Sequence, residues 1–202
     1  MKSKLRTQKR VCYFSELNEE EKQRCNKVCN LGFSKGEERD YIIGIETKRP
    51  IVSLLYVGDL IVGVCFVDIQ KKDVIKPLSN LFLYLHTICI DPEFRGNGLC
   101  YHLVRNLLNA KINIEGKIYH LGRSLNMYLH VRTSSSDPNI SAIKCYQKNG
   151  FELVDMIYET RGDGEVNTAM IRKRGTTKNT SKSKKRKKLK KNNLNLILYL
   201  FY

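Results

Sequence analysis

No apolar run in this 202-residue chain reaches the length of a membrane span, about eighteen residues. The last such run, Leu194 to Tyr202, has nine residues and includes Asn195. The charged N-terminus also lacks the apolar stretch of a secretory leader. Acidic residues are missing from both ends. Residues 1–10 hold five Lys or Arg, residues 171–191 hold twelve, and neither segment contains an acid. Setting those seventeen aside leaves nineteen basic residues against all twenty acidic ones, so the formal charge of +16 belongs to the ends and the body is close to neutral. Cys25 and Cys29 stand four apart on a helical stretch, but no second Cys or His pair stands at zinc-ligand spacing. No structural metal is expected. Seven cysteines are an odd number in a chain too large to need stapling, and the expectation is reduced thiols in a cytosolic or nuclear protein. No internal repeat is visible.

What is present is enough for one domain with appendages. The apolar fraction of 42% and seven Phe allow a core and exclude wholesale disorder. The reading divides the chain into a basic arm (1–10), a folded domain (11–174) and a flexible basic tail with a short apolar end (175–202). Val11 to Phe14 reads as a short strand. Glu19 starts a helix running to about Asn30, with Ser15 or Asn18 as cap. A second short helix or turn follows over Glu37 to Ile45. Ile51–Val57 and Leu60–Val67 form a hairpin around Gly58-Asp59. Leu81 to Ile90 is a third long strand, ended by Pro92. Leu99, Leu103, Val104, Leu107 and Leu108 give Gly96 to Ile112 the spacing of a helix with one buried face. Met127 to Val131 is a strand, Pro138 to Asn149 a helix closed by Gly150, and Leu153–Glu159 with Thr168–Arg172 a final hairpin. Asn113 to Leu125 and Thr133 to Pro138 read as long loops. Strands interleaved with helices predict an α/β fold with a mixed sheet.

The informative stretch is Leu85-His86-Thr87-Ile88-Cys89-Ile90-Asp91-Pro92-Glu93-Phe94-Arg95-Gly96-Asn97-Gly98-Leu99-Cys100. A strand runs into a turn holding two glycines, and a helix begins at once. Free amides at a helix start bind an anion, and the missing side chains of Gly96 and Gly98 let a phosphate approach the backbone. Arg95 adds a positive charge. Two other phosphate-binding loops are excluded: Tyr101 stands where the dinucleotide fingerprint needs Gly or Ala, and no Gly-x-x-x-x-Gly-Lys-Ser/Thr run occurs. A second motif, Asn139-Ile140-Ser141-Ala142-Ile143-Lys144-Cys145-Tyr146-Gln147-Lys148-Asn149-Gly150-Phe151, follows the strand Met127 to Arg132.

The pair of motifs resembles the GNAT superfamily of N-acetyltransferases, which use acetyl-CoA. Arg95 to Cys100 matches its R/Q-x-x-G-x-G/A signature, with Cys100 in the last small position. Asn139, Ala142, Tyr146, Gly150 and Phe151 match its N-x-x-A-x-x-x-Y-x-x-x-G-F pattern. The resemblance runs from about Val11 to Arg174. It implies a mostly antiparallel sheet with one splayed strand pair flanked by helices. It also implies that the edge at Ile88, Cys89 and Ile90 takes the pantetheine arm, and that Arg95, Gly96, Asn97, Gly98, Leu99 and Cys100 take the diphosphate, with Asn139 and Tyr146 also on the cofactor. An amine then attacks the thioester directly, with no metal. Tyr146 corresponds to the family's donor for the leaving thiolate; a core aromatic is the alternative.

Tyr84 and His130 resemble one branch of the family, the N-terminal acetyltransferases that handle protons with a Tyr and a His on two neighbouring strands. An imidazole with pKa of about 6.5 is a suitable acceptor at neutral pH. An α-amine at about 7.7–8.0 needs less help than a Lys ammonium at about 10.4. The resemblance therefore points to the N-terminal amine of a protein or peptide. His86 is a fallback base, two residues along from Tyr84; His102 and His120 read as ordinary. In place of that branch's apolar lip stands Phe33-Ser34-Lys35-Gly36-Glu37, with Phe33 and Tyr158 left to line the acceptor site. A Lys side chain or a small, polyamine-like amine stays open as acceptor. The tail Lys184 to Lys191 reads as a nuclear import signal, a phosphate-binding arm for RNA or the ribosome, or a solvated end. A rival outside catalysis is an inactive acyl-CoA-binding module tethered to nucleic acid through that basic tail.

Overall fold

A computed structural model describes residues 6–33, 50–71, 81–133, 139–157 and 166–175. The strands are β1 (Thr7–Tyr13), β2 (Ile51–Val57), β3 (Leu60–Lys71), β4 (Leu81–Ile90), β5 (Lys111–Ile114), β6 (Lys117–His120), β7 (Asn126–Thr133), β8 (Glu152–Ile157) and β9 (Val166–Arg172). The helices are α1 (Glu19–Phe33), α2 (Leu99–Asn109), α3 (Leu121–Ser124) and α4 (Ile140–Lys148). Seven strands form one sheet in the order β1-β2-β3-β4-β7-β9-β8, and β5 with β6 forms a separate hairpin. Every neighbour pair in the large sheet is antiparallel except β4 with β7. The mixed, mostly antiparallel α/β fold is the one expected.

Each face of the sheet carries its own core. On one face Leu83, Leu85, Met127, Leu129 and Val131 pack under α2 and α4. On the other, Val52, Leu54, Val64, Phe66 and Cys89 pack under Cys25, Val28 and Cys29 of α1. The five predicted apolar positions of α2 are all buried. At about 1.5–3 kcal/mol for each fully buried Leu or Val, they outweigh any single cap. They therefore set how the turn before α2 meets the sheet.

Several boundaries differ from the sequence reading, each for a local reason. β1 begins at Thr7, inside the expected basic arm, because Thr7 to Arg10 pair with Val57 to Leu54 of β2. α1 passes through Gly32 to Phe33 instead of stopping near Asn30. Its start is the expected one: the Asn18 side chain accepts from the Glu21 amide at 2.8 Å and the Glu21 carboxylate accepts from the Asn18 amide at 3.2 Å. α2 begins at Leu99, not Gly96, because Gly96 and Gly98 have φ of 78° and 71°. Beyond α2 the expected loop is the β5–β6 hairpin, turned by Glu115 and Gly116, both at positive φ. The expected segment Glu37 to Ile45 lies outside the described residues.

The expectation of reduced thiols throughout is corrected. Cys29 of α1 is joined to Cys89 of β4, and Cys100 of α2 to Cys145 of α4, with Cα separations of 5.1 and 6.3 Å. The other three, Cys12, Cys25 and Cys65, are free and buried. Burial pushes the Cys25 thiol up to about 12, so it is an inert part of the core at neutral pH.

Candidate active site

The sheet opens between β4 and β7. Their parallel pairing covers only Phe82 to Leu85 against Asn126 to Leu129. Beyond it β7 stays with β9 as far as Thr133, and β4 stays with β3 as far as Ile90. A bulge supplies the local cause. Phe66 pairs with Thr87 while Val67 pairs with Leu85, so His86 is an extra residue in β4. Such an insertion bends and twists the strand that carries it. The β4 edge at Ile88, Cys89 and Ile90 is thereby released from β7, which leaves alternate backbone groups available to an extended ligand.

At the end of that edge the chain turns. The Asp91 carboxylate accepts from the Glu93 amide and is gripped by the Arg24 guanidinium of α1 at 2.6 Å. Arg24 Nε donates to the Ile61 carbonyl at 2.9 Å, so α1, β3 and the turn are locked together. The Arg95 amide donates to the Pro92 carbonyl, and Arg95 Nε donates to the Ile90 carbonyl. The amide set at this turn is therefore Gly96 to Cys100, one residue shorter than the motif. Residues 95–98 are exposed. A Cβ added at Gly96 or Gly98 would meet no atom within 4 Å. The glycines are required by their positive φ, not by crowding, and the space above them is open. The first amides of α2 have no carbonyl a turn behind them, and the helix dipole is positive there. This exposed run of amides at a helix start suits a diphosphate.

α4 explains the second motif. Asn139, at φ 45° and ψ 38°, precedes the helix, and its carbonyl accepts from the Ala142 and Ile143 amides. Asn is among the few side chains that tolerate this left-handed conformation. At the far end the Phe151 amide donates to the Tyr146 carbonyl and the Gly150 amide to that of Gln147, with Gly150 at φ 88°. This is a Schellman cap, closed by the Tyr146 and Phe151 rings, whose centroids lie 5.8 Å apart. Tyr146 is 7% exposed and belongs to the core. Burial, with a smaller contribution from Cys65, pushes its hydroxyl pKa well up.

Polar side chains gather at the fork. Tyr84 of β4 pairs with Tyr128 of β7 one residue before the strands part. Its Oη lies 2.9 Å from Nδ1 of His130. On the other side of Tyr84 the His86 ring stands edge-on, centroids 4.5 Å apart. The sequence reading thus named Tyr84, His130 and His86, which meet. It missed Asp68 of β3, which the strand register places opposite Tyr84. Phe33 falls at the last residue of α1. Tyr158 and the tail lie outside the described residues. Among the described residues no group of three or more His, Cys, Asp or Glu is placed to hold a metal, and no helix is long and apolar enough to cross a membrane.

A family model described as an acetyltransferase (GNAT) domain matches residues 50–153. The chain belongs to the GNAT acetyltransferase family. Sequence comparison with curated proteins finds no match. Among solved structures, the Escherichia coli ribosomal-protein-S18-alanine N-acetyltransferase is similar in fold, with a TM-score of 0.56 and 14% identity over 87% of this chain and 100% of that one. Arabidopsis thaliana Naa50, in complex with the bisubstrate analogue CoA-Ac-MVNAL, has a TM-score of 0.53 and 19% identity over 80% and 97%. The aminoglycoside 6'-N-acetyltransferase of Enterococcus faecium has a TM-score of 0.55 and 14% identity over 80% and 95%. This GNAT domain fits its family's co-substrate on its own geometry: an open run of amides at Gly96 to Cys100 follows a β4 edge, Ile88 to Ile90, that no described strand pairs on the β7 side.

Proposed function

We propose that this GNAT domain moves the acetyl group of acetyl-CoA onto a primary amine, namely the N-terminal α-amine of a protein or peptide. The observation that carries the reading is the Tyr84–His130 contact at the fork, where Oη and Nδ1 stand 2.9 Å apart. A phenol and an imidazole, a hydrogen-bond donor and a proton acceptor, are held together where the strand edge becomes free. An imidazole is matched to a weakly basic α-amine. The Escherichia coli and Arabidopsis enzymes support the choice only as relatives in fold, since they share 14% and 19% identity.

Bound acetyl-CoA supplies an activated thioester carbonyl. The amides of Gly96, Asn97, Gly98, Leu99 and Cys100 and the Arg95 side chain hold the diphosphate. The free edge at Ile88, Cys89 and Ile90 pairs with the pantetheine arm, and Asn139 fixes the start of the helix that presents Tyr146. His130, with Tyr84, takes a proton from the attacking nitrogen as the C–N bond forms. Tyr146 donates to the departing sulfur. Because burial raises its pKa, that hydroxyl keeps its proton at neutral pH.

A second reading, transfer to a Lys side chain or small amine, is favoured by the polar run Ser34-Lys35-Gly36-Glu37, where an apolar lip would cover a large first residue. Mass spectrometry of peptide libraries with free and blocked α-amines, after incubation with acetyl-CoA, separates the two. Acetylation confined to free α-amines supports the first; acetylated Lys in blocked peptides supports the second. In the same assay His130→Ala lowers kcat by about 10²–10⁴-fold without weakening acetyl-CoA binding. Unchanged turnover would remove His130 from the mechanism.

A further inference from the structure

Tyr84 touches two imidazoles, and the proposed chemistry so far uses only one. His86 Nε2 lies 2.5 Å from Asp68 Oδ2. An ionised carboxylate only accepts, so with Asp68 ionised Nε2 carries the proton and donates, and in the neutral imidazole Nδ1 of His86 then keeps its lone pair. Asp68 is 2% exposed, and its other oxygen, Oδ1, is buried without a hydrogen-bond partner among the described residues. Burying a carboxylate is costly unless it is paired. Among the described residues His86 is the hydrogen-bond partner of that side chain. The bulge in β4 is what brings His86 there: it is the inserted residue between the pairs Phe66–Thr87 and Val67–Leu85, next to the pair Asp68–Tyr84. Asp68, His86, Tyr84 and His130 therefore form a continuous row from β3 across β4 to β7, at the mouth of the fork.

The reaction itself asks for two proton acceptors. A protonated amine must lose one proton to expose its lone pair, and a second as the C–N bond forms and the C–S bond breaks. One of these reaches the thiolate of coenzyme A and the other goes to solvent. On the reading above, on which this inference rests, His130 with Tyr84 handles the second. We infer that His86 takes the first, with Asp68 as its positioning residue, holding the ring by Nε2 and balancing the positive charge that His86 carries once it has accepted. The bulged residue thus both opens the strand pair and furnishes a base beside the opening. The orienter–base arrangement is the one that general-base sites use, here built across two antiparallel strands.

Imidazole ¹⁵N NMR of the full chain, alongside steady-state kinetics with acetyl-CoA and an accepted peptide, tests this. In the wild type His86 should be the Nε2–H tautomer with a strongly downfield Nε2 proton, and Asp68→Asn should lose that proton signal. The same variant should lower kcat by about 10²-fold with KM for acetyl-CoA unchanged, and Asp68→Glu should restore part of it. His86→Ala, which leaves Asp68 in place, should lose kcat to a similar degree if the Asn variant folds poorly. A His86 ring protonated on Nδ1 alone, or a kcat in either variant that follows wild type, would overturn the assignment. A wild-type protein with the expected Nε2 proton but no transfer to any amine would instead overturn the transferase reading beneath it.

Discussion

Replacing Gly98 with glutamate weakens acetyl-CoA binding by roughly 10- to 1000-fold while the apo protein still folds. The two halves of that expectation come from different properties of one position. Gly98 sits at φ 71°, immediately before α2, and a Cβ there would meet nothing within 4 Å. The cost to the fold is therefore conformational, about 1–2 kcal/mol for a left-handed non-glycine residue. The cost to the ligand is larger. A carboxylate would stand over the amides of Leu99 and Cys100, facing a diphosphate of the same sign. Two like charges 4 Å apart repel by about 4 kcal/mol at an effective dielectric of 20, and by about 1 kcal/mol in bulk water. Because residues 95–98 are exposed, the electrostatic part falls between these limits, and blocked amides add to it. Calorimetric titration with acetyl-CoA, paired with apo melting curves, reads both halves. Equal affinity in the variant would mean the ligand does not touch this turn.

Reducing the two disulfides should lower the unfolding free energy by about 4 kcal/mol for each bond opened, on the chain-entropy account. The sequence separations are large, 60 residues for Cys29–Cys89 and 45 for Cys100–Cys145, and long closed loops restrict the unfolded chain most. The two loops do not overlap in sequence, so Cys29→Ser and Cys100→Ser should each account for its own share. The bonds also border the candidate site. One joins α1 to the residue in the middle of the free β4 edge, and the other joins the second residue of α2 to the neighbour of Tyr146. Opening them should weaken acetyl-CoA binding as well as stability. Urea unfolding of oxidised, reduced and single-variant protein checks this; a reduced protein with an unchanged midpoint would contradict it.

Legibility in the sequence followed how local each feature is. The hairpin of β2 and β3 and the strand β4 announce themselves through dense β-branched residues and the Gly58-Asp59 turn. α2 announces itself by its apolar spacing. The phosphate turn was readable because Gly96 and Gly98 are required by backbone conformation, which a sequence records directly. The β5–β6 hairpin was not, because Glu115 occupies a left-handed turn position where Asn, Asp or Gly would have signalled it. The disulfides were hidden because their partners meet only through packing, helix on strand for Cys29–Cys89 and helix on helix for Cys100–Cys145. At the site, Tyr84 and His130 could be named only through family resemblance, since 46 residues separate them. Asp68 escaped for a related reason. It follows the apolar run Leu60 to Val67, and only the register of β3 on β4, shifted by one residue at His86, puts it within reach of that imidazole.

The central expectation is that backbone amides at the start of α2 grip the diphosphate of acetyl-CoA. Titrating acetyl-CoA into ¹⁵N-labelled protein while following amide resonances observes that grip directly. The largest shifts should fall on Gly96, Asn97, Gly98, Leu99 and Cys100, followed by Ile88 to Ile90 along the free strand edge. Saturation with those resonances unmoved, or no binding at all, would contradict it.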